Sequence, residues 1–235
     1  MLEPLPQAFT PTRDALHALA EHVLAPFRYR ADGHIGLVVT AGGFGTPTLA
    51  DGERVRVEGV ELVYERPGTA TRVGLTTLGI AAQFVDVPLG LPAGIYTPAT
   101  PCAPEIHVGV DADAARAVAA WLDFGAVLLA ELRQYYVGQE ASMPTLWPEH
   151  FDVAIELGDA DAGSRANYGA SLGDTTIAQP YLYVGPWDES RRTGVLGATE
   201  FGAVITYDEL LAAGNPRAAG ADFFAGGASL LLGAP

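Results

Sequence analysis

The sequence predicts an α+β protein: antiparallel sheet, in one sheet or two, packed on a long central helix. Three observations carry that reading. Residues 112–136 hold a helical run that is apolar nearly all round between Ala117 and Leu132, the pattern of a helix covered on most sides. Residues 151–157, 166–171 and 180–184 are extended segments whose short links are rich in Gly, Asp, Ala and Thr, which suits antiparallel neighbours. A chain of 235 residues, 49% apolar and 17% charged, can also bury a substantial core.

In chain order, Thr10 or Thr12 can cap a first helix with Pro11 in its first turn, running to about Leu24, where Pro26 stops it. Leu16, Leu19, Ala20 and Val23 form its buried stripe. Asp14, His17 and Glu21 share another side at a spacing that can bind metal, and are read as a solvated face. Residues 34–40 read as a strand and 41–47, Ala-Gly-Gly-Phe-Gly-Thr-Pro, as the tight turn leaving it. Arg54-Val55-Arg56-Val57-Glu58 and Glu61-Leu62-Val63-Tyr64-Glu65 alternate around Gly59 as a hairpin with one wet face.

Residues 75–84 form a short helix, and the proline-rich run 87–104 is an ordered connector. The chain is read as one compact unit over 1–235, with lobes 1–90 and 105–235 joined by that connector. A strand at 106–110 follows, and Asp111 caps the long helix. After the three extended segments, Thr206 caps a short helix at Tyr207-Asp208-Glu209-Leu210-Leu211, and the Ala- and Gly-rich tail 217–232 is a last helix.

Composition excludes several functions. All 13 basic residues are arginine, so neither a lysine Schiff base, as pyridoxal phosphate needs, nor a phosphate-binding P-loop lysine is available. No Gly-x-Gly-x-x-Gly stands before a helix, and no motif points to a nucleotide or haem. A net charge of -15 argues against nucleic acid and anionic membranes as partners. With no secretion signal or membrane-spanning run, and a single cysteine, the expected location is the cytoplasm. Cys102, in Pro101-Cys102-Ala103-Pro104, reads as a small residue in a rigid connector.

The stretch richest in chemistry is 146–158. From Phe151 the odd positions are apolar, while His150, Asp152 and Glu156 fall on the even ones, the period-2 pattern of a half-buried strand. If the three segments pair as successive hairpins, His150 and Asp152 meet Ser171, Asp174 and Tyr181 at one sheet end. Tyr181, Tyr183 and Trp187 share a parity and would form an aromatic wall beside them. In an enzyme, His150 would be the base or metal ligand and Asp152 its orienter. Ser171 and Asp174 would then hold the substrate. As a divalent-metal site, His150 and Asp152 would be joined by Glu149 or Asp174. The competing reading is a hydrogen-bond network that only locks the sheet. Gly169-Ala170-Ser171-Leu172-Gly173 matches Gly-x-Ser-x-Gly in form, but a turn follows it and all five histidines precede it, so it is not read as a nucleophile elbow.

Three phrases, Leu-Trp-Pro-Glu-His-Phe-Asp (146–152), Asn-Tyr-Gly-Ala-Ser-Leu-Gly-Asp (167–174) and Pro-Tyr-Leu-Tyr-Val-Gly-Pro-Trp (180–187), resemble an uncharacterised, largely actinobacterial protein family. The likeness extends over most of the chain, including Gly-Gly-Phe-Gly-Thr-Pro at 42–47. More distantly, the order of a Phe-Asp strand, a Gly/Ser turn and a Tyr-x-Tyr-x-x-Pro strand is similar to a broader domain-of-unknown-function group. Leu172 stands where the resemblance implies a proline. The resemblance brings no activity with it. The functional expectation is therefore a small-molecule-binding protein or enzyme using the His/Asp/Tyr site of the C-terminal sheet. The alternatives are a non-catalytic structural or interaction protein, and a metal-binding protein using His150 and Asp152.

Overall fold

The computed structural model describes residues 2–233 and confirms the α+β class. The chain divides into two compact units: an N-terminal one of Pro4–Ala120 and Thr145–Phe151, and a C-terminal one of Trp121–Pro144 and the chain from Asp152 onward, with Leu2 and Glu3. The proline-rich run 87–104, read from sequence as a lobe joint, falls wholly within the N-terminal unit.

That unit begins with α1 (Phe9–Leu19), a π-helical segment (Ala20–Leu24) and α2 (Ala25–Asp32), which run on without a break. Pro26 was expected to stop the helix, and it does not. A proline inside an α-helix removes one N–H and presses its ring on the carbonyl four residues back, here that of His22. The wider π turn, with Ala25 N–H donating to Ala20 O, takes up the ring. The carbonyl that Pro26 cannot serve is met from outside, by Gly90 N–H at 2.9 Å.

The first sheet is a five-stranded antiparallel meander of β1 (Val38–Thr40), β2 (Gly43–Gly45), β3 (Arg54–Glu58), β4 (Glu61–Arg66) and β5 (Thr69–Gly74). The hairpin at Gly59 stands as expected. The glycine-rich stretch 41–47 is more than a turn, because Gly43–Gly45 is itself a strand. A Cβ on Gly43 would lie 2.3 Å from Val57 O, and one on Gly45 2.4 Å from Val55 O, so these glycines let β2 lie against β3. Strand β5 escaped the sequence reading because it is mostly exposed and has no apolar alternation. Helix α3 (Leu78–Phe84) is capped by Thr77. The strand expected at 106–110 reduces to a single bridge between Thr77 and His107.

Helix α4 (Ala112–Tyr135) is capped by Asp111, whose Oδ1 accepts Ala114 N–H at 2.9 Å. Between Ala117 and Leu132 it is covered on most sides, as expected, since only Ala120, Asp123, Val127 and Glu131 are exposed, and they form one stripe. Ala114, Ala115, Val118, Trp121, Leu122, Leu128, Leu129 and Leu132 are buried.

Beyond α4 come β6 (Thr145–Trp147), β7 (Asp152–Leu157), β8 (Ala166–Ser171), β9 (Tyr181–Pro186), β10 (Ala203–Thr206), α5 (Tyr207–Ala212) and α6 (Pro216–Leu232). In the C-terminal unit β7 to β10 form a second antiparallel sheet, in the order β10-β9-β8-β7. Thr206 and Glu209 form a capping box on α5, as the sequence proposed for Thr206. One face of the sheet meets α4 and α6 at glycines: Gly125 lies against Ala170 and Val153, Gly220 against Leu128 and Leu182, and Gly227 against Val184. Among the described residues no helix is long and apolar enough to cross a membrane.

A Cβ on Gly125 would sit 2.4 Å from the Cβ of Ala170. Gly125→Ala must therefore separate α4 from the sheet, and overpacking of this kind costs about 1–3 kcal/mol. The expected result in urea denaturation is a lower midpoint with an unchanged slope.

Candidate functional site

In the C-terminal unit the strand register brings three of the expected site residues into one row. Asp152 stands opposite Ser171 on β8, and Ser171 opposite Tyr181 on β9. Asp174, in the turn after β8, accepts Tyr181 O–H at 2.5 Å through Oδ2, while its Oδ1 takes the N–H groups of Thr176 and Ile177. One step along, Ala154, Gly169 and Tyr183 form the next row. A Cβ on Gly169 would fall 2.5 Å from the Tyr183 ring, so the missing side chain lets that ring cross β8 and donate its O–H to Asp152 Oδ2 at 2.5 Å. Burial, with Asp152 beside it, raises the Tyr183 pKa well above the usual phenol value, and burial with the Asp174 bond does the same for Tyr181. Both tyrosines are therefore fixed as donors.

The face is not wet. Asp152 is 3% and Ser171 4% exposed, and Phe201 lies 6.1 Å from both tyrosine rings. Ser171 Oγ accepts Gly173 N–H, and Ser171 O accepts the indole N–H of the buried Trp121 at 2.7 Å. Each residue of the constellation thus has at least one partner within the sheet or its turns.

His150 does not join it. Phe151 adopts φ 49°, its N–H closes a turn onto Trp147 O at 2.8 Å, and the strand starts only at Asp152. The i, i+2 strand spacing that would set His150 beside Asp152 is absent, and His150 is an exposed turn residue of the N-terminal unit with Glu149. The expected ligand trio of His150, Asp152 and Glu149 is not assembled: among the described residues no three His, Cys, Asp or Glu side chains are placed to hold a metal ion. Trp187 lies past the far end of β9, where its Nε1–H donates to Asn167 and Arg165 covers its ring at 5.1 Å. It is no part of the wall made by Tyr181 and Tyr183.

Two features of the N-terminal unit went unread. The first is a buried polar cluster on the π segment. Glu21, expected on a solvated face, is 0% exposed, and its carboxylate accepts Ala99 N–H at 2.8 Å, Thr100 N–H at 2.8 Å and Thr100 Oγ1–H at 2.5 Å. His22, also 0% exposed, faces Thr100 O and Thr100 Oγ1 with Nε2, each at 3.0 Å. His17 stacks on Phe151 at 5.1 Å and shares a 2.8 Å hydrogen bond with Pro148 O. The signal available in the sequence was a Glu-His pair inside an apolar helix that runs through a proline.

The second is a recess of about 580 Å³ lined by Arg28, Tyr29, His34, Ile35, Thr145 and Trp147, among others. A Cβ on Gly36 would meet Thr145 Cγ2 at 2.6 Å, so that glycine keeps the lining closely packed. Arg28 Nη1–H donates to Gly36 O, and Arg28 Nε faces Asp32 at 3.5 Å.

No protein-family model, curated protein or solved structure matches the chain.

Two outcomes separate the residues of the β7–β9 row from the turn before it. Tyr183→Phe removes the donor to a buried carboxylate and should cost about 1–3 kcal/mol. His150→Ala, on an exposed turn, should stay within about 0.5 kcal/mol. Chemical denaturation of both variants checks the contrast.

A third outcome concerns acid. Burial, opposed by Glu21, lowers the His17 pKa from its ordinary 6.5. The unfolded chain then takes up this proton first, so the His17 contribution is full above about 6.5 and is lost as pH falls through the lowered folded value. Unfolding free energies at pH 7.5 and 5.5 should differ less for His17→Gln than for the parent protein.

Proposed function

We propose that this protein binds a small molecule in the recess of its N-terminal unit, and that the Asp-Tyr constellation of the C-terminal unit is a structural lock. The observation behind this reading is the recess itself, whose volume of about 580 Å³ falls inside the usual range for ligand sites of about 300–1,000 Å³. Its lining combines two aromatic side chains, Tyr29 and Trp147, with a guanidinium at Arg28 and an imidazole at His34. Aromatic faces favour a flat apolar body, and a guanidinium favours a hydrogen-bond acceptor such as a carboxylate or carbonyl. The ligand class is therefore a small planar molecule carrying such an acceptor.

The lock reading rests on the pairing of Asp152 with Tyr183 and of Asp174 with Tyr181. Groups that already meet one another must give up those bonds to accept a ligand, and a buried polar group left without a partner costs about 1–3 kcal/mol.

A fragment screen by ligand-observed NMR, followed by titration calorimetry of the hits, tests the proposal. Trp147→Leu and Arg28→Met should each weaken binding at least about tenfold, or about 1.4 kcal/mol, with the circular dichroism of the unligated protein unchanged. Hits whose affinity survives both substitutions but falls in Tyr181→Phe would move the site to the β7–β9 row and overturn the reading.

A further inference from the structure

His22 is oriented in the way that suits a metal ligand. Its Nε2 faces two oxygens, Thr100 O and Thr100 Oγ1, and that hydroxyl already gives its own hydrogen to Glu21 Oε2. Both oxygens are thus acceptors toward the ring, so Nε2 carries the proton and Nδ1 presents a bare lone pair. A ring nitrogen anchored on a backbone carbonyl is the usual outer-shell arrangement of a metal-binding histidine, because it fixes both tautomer and ring plane. Nδ1 is buried and has no hydrogen-bond partner, and the side chain is 0% exposed.

That nitrogen looks toward the chain's single cysteine. A Cβ built on Gly90 would lie 4.0 Å from His22 Nδ1 and 3.1 Å from Cys102 Sγ, so both atoms border the same small space, and Gly90 (φ 83°) leaves it open. The surroundings are fixed from two sides. Gly90 N–H is held by His22 O, and Ala99 and Thr100, just before Cys102, are held by the carboxylate of Glu21. Cys102 itself is exposed, which gives an ion a way in.

We infer that Cys102 Sγ and His22 Nδ1 form a two-ligand site for a cuprous ion. Thiolate and imidazole are both good ligands for copper, and thiolate selects the soft monovalent state. Most other metals would need a third or fourth ligand, and no such group of three His, Cys, Asp or Glu is present among the described residues. Metal–sulfur and metal–imidazole bonds of about 2.3 and about 2.0 Å let one ion join two such atoms across about 4.3 Å. On binding, the S–H bond of Cys102 breaks, an S–Cu bond forms, and the proton leaves to the buffer, with no change in oxidation state. The recess of the proposed small molecule is lined by other residues, so the two sites stand independently.

Anaerobic titration of the purified full chain with cuprous ion, in competition with a chromophoric cuprous chelator, tests this. The expected result is one ion per chain, with affinity about 10–100-fold weaker in Cys102→Ser and in His22→Gln. Because His22 also supports the fold, X-ray absorption at the copper edge of the unmodified protein gives a readout without substitution, expected to show one sulfur and one imidazole nitrogen. Absence of binding, a copper bound by two sulfurs from two chains, or affinity unchanged in His22→Gln would each overturn the inference.

Discussion

The N-terminal unit depends on a carboxylate buried against backbone N–H groups. In a chain with no lysine, Glu21 is met by two successive backbone N–H groups and a threonine hydroxyl. An ionised group taken out of water costs several kcal/mol unless its acceptor capacity is used, and three short bonds use it. The same bonds give a fixed course to a proline-rich segment that has almost no regular structure of its own. Pro26 contributes as well, since it frees the His22 carbonyl to hold Gly90. One irregular turn thereby anchors the connector at two points.

The C-terminal unit solves a comparable problem with side chains. Asp152 and Asp174 sit at one end of a sheet whose other face is packed against glycine-bearing helices, and each carboxylate takes a short bond from a tyrosine. The tyrosines reach because small residues lie beneath them, Gly169 above all. Polar pairing of this kind fixes strand register, because a slip of β7 by one residue would send the Asp152 carboxylate to the apolar face. The exchange of a histidine partner for a tyrosine one alters the chemistry on offer. A phenol with a raised pKa donates a hydrogen bond steadily but does not shuttle protons near neutral pH.

Much of this architecture was legible from local pattern. The segment at 166–171 is β8 and that at 180–184 overlaps β9 from Tyr181, Asp111 caps the long helix, and Thr206 caps the short one, since alternation and capping act over a few residues. The pairing of Asp152, Ser171, Asp174 and Tyr181 followed from short links that leave little freedom of register. What escaped depended on distant partners. Nothing near Glu21 in sequence announces the backbone of Ala99 and Thr100, 78 and 79 residues on. Phe151 escaped for a different reason: a left-handed aromatic residue is rare, so the alternation was carried one residue too far and drew His150 with it. Strand β2 is made of glycine and one phenylalanine, a composition that argues for a turn until the close backbone of β3 is known.

The π segment also makes the length of this part of the chain matter. A π turn holds one residue more than the α turn it replaces. A chain shorter by one residue between Ala20 and Leu24 could form an uninterrupted α-helix, with better local hydrogen bonding and no widened turn to receive Pro26. Because the π turn absorbs the extra residue, those beyond the deletion would keep nearly their present phase about the helix axis. Phe27, in the core, and Arg28, on the recess, would stay on their present faces, and the helix would lose the widened turn instead. Insertions and deletions are commonly tolerated in loops, but here a place inside a helix can also lose a residue in register, and related chains that keep Pro26 should keep the widened turn that receives it.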